Sequence, residues 1–517
     1  MANKCFVCVV GGTGSRVGNA LVQTLFAGTT DQVAEEIDEI CILSIDADRG
    51  SNDIKSLSAN ATSYQDFQNV IQKGAKAANV KLKFWQWTPT LPESGKLSEM
   101  TGKEKDAQDL LYALYDQNQQ EIVINSESDG GFRANPNVGV CFLRASLKAE
   151  ANVIQSEYIS FKNSIREACN VGGNVVRLLM VGSLFGGTGA ASFVCIAADL
   201  NRANEAKNPN YRCGAVMLTP YFAVRDKGHV DSDIMKGFYS STKEALSYYN
   251  AHRKELPFST FYLFGSPVLR EAEWKAANQK NKASFVEAEA AQACLHYFTR
   301  SDLDVNDKVF YMRKNTRLAE VHVGPNETMR CPKEIELSLS DFGSEKGSLN
   351  KLLKMVRFAI NYMYVVEPQF EGCAQMERSG KKGLPNYYTQ AAKPAFEAHR
   401  NLRDQMWRAS KTYLQWIHEL LEDEAFIQKF LNEELLGKMI EALPDTRHNA
   451  LENNTYKNMR NTYLQRNGKH PYAKIITVKE IPYWTANQVI AKLPNDFPNA
   501  YATDAEKFAY VLEHLMN

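Results

Sequence analysis

In the first half of the chain, short β-branched runs alternate with stretches of helical periodicity, and two glycine clusters each fall between a strand-like run and the helix-like stretch after it. That alternation constrains the fold more than any other feature. Parallel strands need a crossover connection, and a helix usually supplies it. The candidate strands are residues 4–10 (KCFVCVV), 39–46 (EICILSID), 81–87 (KLKFWQW), 174–183 (NVVRLLMVGS), 212–220 (RCGAVMLTP) and 259–266 (STFYLFGS). The candidate helices are 16–26, 105–118, 145–168, 189–204 and 236–253. The expected fold class is therefore α/β, with a parallel, Rossmann-like sheet.

The glycine clusters narrow the function. The first holds Gly11, Gly12, Gly14 and Gly18; the second holds Gly186, Gly187 and Gly189, with Thr188 among them and Ala190 and Ala191 following. A helix start exposes unpaired backbone amides at the positive end of the dipole, and glycine lets a phosphate come close to them. One such turn is equally well an empty tight turn, whereas two in one sheet favour a phosphate-bearing ligand. No GxxxxGK[ST] is present, which argues against a P-loop. The first cluster partly fits the dinucleotide fingerprint, with its last glycine one position late, and Asp46 and Asp48 follow at the end of the second strand. An NAD(P)-dependent oxidoreductase is therefore one alternative, although it leaves the second cluster unexplained.

Five segments in order carry a more specific pattern: Gly11 to Asn19, SIDAD (44–48), GFRANPNVG (131–139), FGGTGAA (185–191) and LTPYF (218–222). Together they resemble the nucleotide loops of the tubulin/FtsZ superfamily of GTPases, whose signature is GGGTGSG. The resemblance covers about residues 1 to 300 and departs at Phe185, Ala190 and Ala191, as in a divergent bacterial or phage tubulin-like branch. It implies GTP or GDP as ligand, with Mg2+ as its accompanying ion. Gly186, Gly187, Thr188, Gly189 and Ala190 would wrap the phosphates, and Gly11, Gly12, Thr13, Gly14, Ser15 and Asn19 would form the opposite wall. Asp46, Ala47 and Asp48 would position a metal-bound water or the ribose, or else form an ordinary solvated turn. Ala134 and Asn135 would approach the γ-phosphate, with Asp129, Gly130 and Gly131 before them, and Thr219 would belong to the fifth loop.

The resemblance also implies a long central helix, for which 281–298 is the candidate, with Asn281 or Asn278 reading the base edge or simply capping the helix. Hydrolysis in this family needs an acid from the next subunit, so self-assembly activates it. Asp341 and Glu345 in LSLSDFGSEKG are one candidate source, and Asp304 in SDLDVND is the other; either stretch reads equally as a solvated loop. Ser344 stands where the second acid of the family's NxDxxD belongs, so the resemblance supports binding more strongly than fast turnover. The implied activity is a GTPase that stacks head to tail into filaments, with itself as partner. A third reading is a nucleotide sensor that does not polymerise and binds a protein partner.

Composition bounds these readings. At 517 residues the chain exceeds one ordinary core. The expected division is 1–270 for nucleotide binding, 271–300 for the central helix, 301–390 for a second α+β domain and 391–517 for a mainly helical C-terminal region. Sixty basic residues balance sixty acidic ones, which gives no electrostatic footprint for nucleic acid. No apolar run approaches the roughly 20 residues of a membrane span. Ten scattered cysteines suit reduced thiols, hence a cytoplasmic location. Cys5 and Cys8 form a CxxC inside a strand, where they point to opposite faces, so no metal site is assigned to them. In the C-terminal region, Phe396, Leu402, Trp407, Tyr413, Trp416, Ile417, Leu420 and Leu421 read as a core-facing helical hairpin or as a partner-binding surface. Residues 475–484 read as a strand, 503–517 as a closing helix and 379–394 as a linker.

Overall fold

The computed structural model describes residues 3–27, 37, 39–48, 50–71, 80–89, 132, 136–150, 153, 156–226, 229–252, 255–266, 270–273, 282–299, 308–311, 321–324, 327–329, 348–368, 400–423, 428, 430–450, 452–463, 475–477, 481 and 489. Its main sheet has seven strands: β1 (Asn3–Val10), β2 (Glu39–Ile45), β3 (Lys81–Trp87), β4 (Val175–Ser183), β5 (Tyr211–Leu218), β6 (Thr260–Phe264) and β7 (Lys308–Tyr311). Every neighbouring pair is parallel. The spatial order is β7-β6-β5-β4-β1-β2-β3, so the chain winds outward one way from β1 and the other way from β4. This is a doubly wound, Rossmann-like sheet, and the direction reverses between β1 and β4.

Strand β1 shows how the two faces are built. Cys5, Val7 and Val9 enter one apolar cluster, whereas Phe6, Cys8 and Val10 enter the other. Alternation along an extended chain produces this separation. Helices α1 (Gly11–Phe26), α2 (Asn52–Ile71), α7 (Phe285–Thr299), α8 (Ser348–Asn361) and α9 (Arg400–Asp423) supply the first cluster, through residues such as Leu21, Leu57, Ala290, Val356 and Trp407. Helices α3 (Pro136–Glu150), α4 (Glu157–Asn170) and α5 (Gly187–Asn201) supply the second, through Phe142, Phe161 and Ile196. Helix α6 (Ser232–Ala251) adds Phe238 to the first and Tyr249 to the second. Cys5 and Cys8 therefore lie on opposite faces of the sheet.

The C-terminal hairpin residues Trp407, Tyr413, Trp416, Ile417, Leu420 and Leu421 are buried in the first cluster, which is the core-facing reading. Helix α10 (Glu433–Glu441) and a short helix, Asn454–Tyr463, pack beside them. No helix among the described residues is long and apolar enough to cross a membrane.

The structure departs from the sequence reading in several places. The stretch 145–168 is two helices, α3 and α4, because Ser156 starts α4 by accepting the Ile159 amide on its Oγ. Gly11, Gly12 and Gly14 lie within the first turn of α1, and Gly187 and Gly189 within that of α5, rather than ahead of them; Gly186 is the N-cap residue of α5. Helix α7 begins only at Phe285, and residues 271–273 of the segment assigned to the central helix form, with Arg270, a strand beside 222–225. Residues 308–311, assigned to the second domain, complete the main sheet as β7, where β6 offers its open edge. The helices expected at 105–118 and 503–517 and the linker at 379–394 lie outside the described residues, as does most of 475–484.

Candidate functional site at the switch point of the sheet

The two glycine turns meet where the winding reverses, at the carboxyl ends of β1 and β4. Open α/β sheets bind ligands at this place because neighbouring connections diverge there and leave a crevice. Gly11 has φ +71°, a backbone state that favours glycine, and an added Cβ would lie 3.6 Å from the Gly189 amide nitrogen and 3.7 Å from the Thr188 Cβ. Gly14 and Gly189 have ordinary φ and answer a different need: each presses on β4. A Cβ on Gly14 would come to 2.7 Å from the Val181 carbonyl oxygen, and one on Gly189 to 2.7 Å from that of Ser183. Helix α3 joins the same place, since a Cβ on Gly139 would reach 2.8 Å from the Gly187 carbonyl oxygen. Two helix starts with small residues thus lie side by side at the switch point, and a helix start is a place where an anion can be received.

Phe185, the departure from the resembled glycine signature, packs away from the glycine turns. It is buried in an aromatic group with Phe238 at 4.9 Å, Phe222 at 5.5 Å and Tyr221 at 6.3 Å between ring centroids. The only non-glycine residue with positive φ among those described is Lys207, so Phe185 has ordinary backbone geometry. Its side chain anchors the loop to the residues that follow β5.

Arg16 organises a buried charge network that the sequence reading missed. Its Nε donates to Glu287 at 2.5 Å, its Nη1 to Asp53 at 2.8 Å, and its Nη2 to the Tyr221 hydroxyl at 2.6 Å and to Thr13 at 3.2 Å. Tyr221 in turn donates to Glu287 at 2.5 Å, and the other Glu287 oxygen accepts the Ser284 amide at 3.0 Å. Burial alone would lower the Arg16 pKa, but Tyr221, Glu287 and Asp53 overturn that and hold the guanidinium charged. The first turn, the start of α2, the residues after β5 and the start of α7 are thereby tied to one cation. The available signals were an arginine inside a glycine-rich turn and an acid at the start of a largely apolar helix.

Carboxyls set the charge beside the turns. Burial pushes Asp46 up to about 7, against the hydrogen bond from the Asp48 amide and with the help of the Asp48 and Asp53 charges. Burial also raises Asp48, against the Gly50 amide, and raises Asp53 to about 6 although Arg16 opposes it. The folded protein therefore keeps protons that the unfolded chain releases above about pH 4. This contribution to stability is fully present below that pH and fades as pH rises through about 6 for Asp53 and about 7 for Asp46. Urea midpoints measured from about pH 5 to pH 8 should fall. Asp46→Asn should flatten the upper part of the slope, and an unchanged slope in that variant would exclude Asp46 as its source.

Two cavities flank the turns, and the glycines themselves line neither. One, of about 420 Å³, lies between Arg16, Asn19, Asp53 and Asn60 on one side and Arg408, Gln415 and Trp416 of α9 on the other. Within the first of these walls Asn60 donates to Asn19 at 2.6 Å. The other, of about 450 Å³, runs between α3, α5 and α6, with Asn137, Arg144, Ala190 and Tyr248 in its walls.

Of the site residues expected from sequence, Gly11, Gly12, Thr13, Gly14, Gly186, Gly187, Thr188, Gly189 and Ala190 occupy the two adjoining helix starts. Ser15 is fully buried against Ser44, 3.3 Å away, so it turns toward the strands. Asn19 belongs to the first cavity. Asp46, Ala47 and Asp48 follow β2, and Thr219 follows β5 with its hydroxyl donating to the Phe264 carbonyl at 3.0 Å. Ala134, Asn135, Asn281, Asp304, Asp341 and Glu345 lie outside the described residues, as do Asn278, Asp129, Gly130 and Gly131. Comparison with family profiles, with curated proteins and with solved structures finds no match for the chain.

Proposed function

We propose that this protein is a cytoplasmic, tubulin-like guanine-nucleotide-binding protein that stacks head to tail, with the nucleotide between successive subunits. The observation that carries the reading is the meeting of the two glycine-lined helix starts at the switch point, Gly11 against Thr188 and Gly189. Amides from two helices would hold the phosphates. The asparagine pair Asn19 and Asn60 offers amide donors and acceptors to a base in the adjoining cavity. Asp46 and Asp48 would oppose the phosphates once ionised, so a Mg2+ ion between carboxylate and phosphate suits the site. Hydrolysis completed by an acid of the next subunit, with Asp341, Glu345 or Asp304 as its source, follows from the same family pattern.

The strand order also suits a dinucleotide, which keeps the NAD(P)-dependent oxidoreductase as the second reading. Identification of the nucleotide that co-purifies with the protein separates the two. Guanine nucleotide is expected, and a nicotinamide dinucleotide would overturn the proposal. Assembly has its own test, because completion of the site in trans requires GTP turnover per subunit to rise with protein concentration. A flat profile without sedimentable polymer would leave a nucleotide sensor that recruits another protein through its C-terminal helices.

A further inference from the structure

We propose that His418, Glu422 and Glu433 bind one divalent transition-metal ion at the seam between α9 and α10, an inference independent of the nucleotide reading. One ligand atom from each residue lies within 4.8 Å of the others. The His418 Nδ1 is 3.8 Å from a Glu422 carboxylate oxygen. Bonds of about 2.1 Å to a common ion place ligand atoms roughly 3.0–3.4 Å apart, so small side-chain rotations close the site. His418 and Glu422 share a helix face at i, i+4. Glu433 opens α10, whose start is fixed by Asn432 accepting the Leu435 amide at 3.0 Å.

Gly437 provides an independent sign that the imidazole is held in place. A Cβ there would come to 2.8 Å from the His418 Nε2. Glycine inside a helix costs about 1 kcal/mol relative to alanine, and here its bare backbone admits the ring edge. With Nε2 against α10, Nδ1 is the nitrogen left on the Glu422 side. Both carboxylates are oriented by neighbours: Lys282 donates to Glu422 at 2.5 Å, and Gln428 to Glu433 at 2.9 Å. Such outer partners hold ligands in register.

One imidazole and two carboxylates select zinc-like ions over Mg2+. The ion would also stiffen a wall of the first cavity, since His418 and Glu422 line it and the neighbouring Glu419 accepts the Ala283 amide at the entrance to α7.

The test is titration of the chelator-treated full chain with Co2+, followed by visible absorption and calorimetry. One equivalent is expected to bind with spectral features of mixed nitrogen and oxygen ligation. His418→Gln and Glu433→Gln should each weaken binding at least about tenfold. Glu434→Gln, which alters the next carboxylate, exposed and paired with Lys438, should bind as the parent does. Absence of Co2+ uptake by the parent chain, or parental affinity in both ligand variants, would overturn the site.

Discussion

Arg16→Ala should lower the stability of this protein by about 3–5 kcal/mol, the loss typical when one partner of a buried ion pair is removed. Arg16 is only 9% exposed and Glu287 2%, so the glutamate would be left buried without its cation. The Asp53 carboxyl, already raised toward neutrality by burial, would lose the cation that holds it down. Urea denaturation at pH 7 measures the effect. The double replacement Arg16→Met with Glu287→Leu should recover much of the loss, because hydrophobic side chains of similar volume carry no desolvation penalty. A single-variant loss under about 1 kcal/mol would mean that water reaches the pair, and would remove the network from the account of how the first turn is held.

If the proposed nucleotide sits on the two helix starts, Gly14→Ala and Gly189→Ala should each lower its affinity at least about 100-fold, equivalent to roughly 2.7 kcal/mol. The added methyl would sit 2.7 Å from a backbone oxygen of β4 in both cases. A central strand paired on both sides cannot yield as a side chain can. The helix start must move instead, and it takes its amides with it; overpacking of this kind also costs about 1–3 kcal/mol in stability. Gly237→Ala is the matching control, because a Cβ there meets nothing within 4 Å on the exposed face of α6. That substitution should stabilise by roughly 0.5–1 kcal/mol and leave nucleotide affinity unchanged. Parental affinity in both Gly14→Ala and Gly189→Ala would show that the ligand does not use these helix starts.

Much of the sheet was legible because its signals are local. The runs at 4–10, 39–46, 81–87 and 174–183 differ from the observed strands by at most one residue at an end. Buried parallel strands are near-continuous apolar runs, and glycines mark where β1 and β4 stop. The helical stretch 145–168 was harder to divide, since apolar periodicity runs on through the break and only the Ser156 cap marks a new start. Phe185 was visible only as a departure from the resembled glycine signature. The structure gives the reason for its presence, an aromatic anchor on Phe238 and Phe222 that no local pattern could announce.

The candidate site divides in the same way. Two strand-to-helix junctions rich in glycine were visible as a pair, because conformational freedom and small size are written into residue type. Their meeting depends on β1 and β4 lying side by side, with 164 residues between the end of β1 at Val10 and the start of β4 at Val175. Arg16 and Glu287 are 271 positions apart, and their pairing exists only because α7 packs on α1. The same holds for the cavity wall that α9 supplies opposite Asn19 and for the third metal-ligand candidate, Glu433, which comes from a different helix than His418 and Glu422. By itself the sequence determined element type, direction and the chemistry available at each turn, because these follow from neighbours a few residues away. Tertiary structure alone decided which charges are buried together and which carboxyls keep their protons, because desolvation and pairing depend on what packs across the chain.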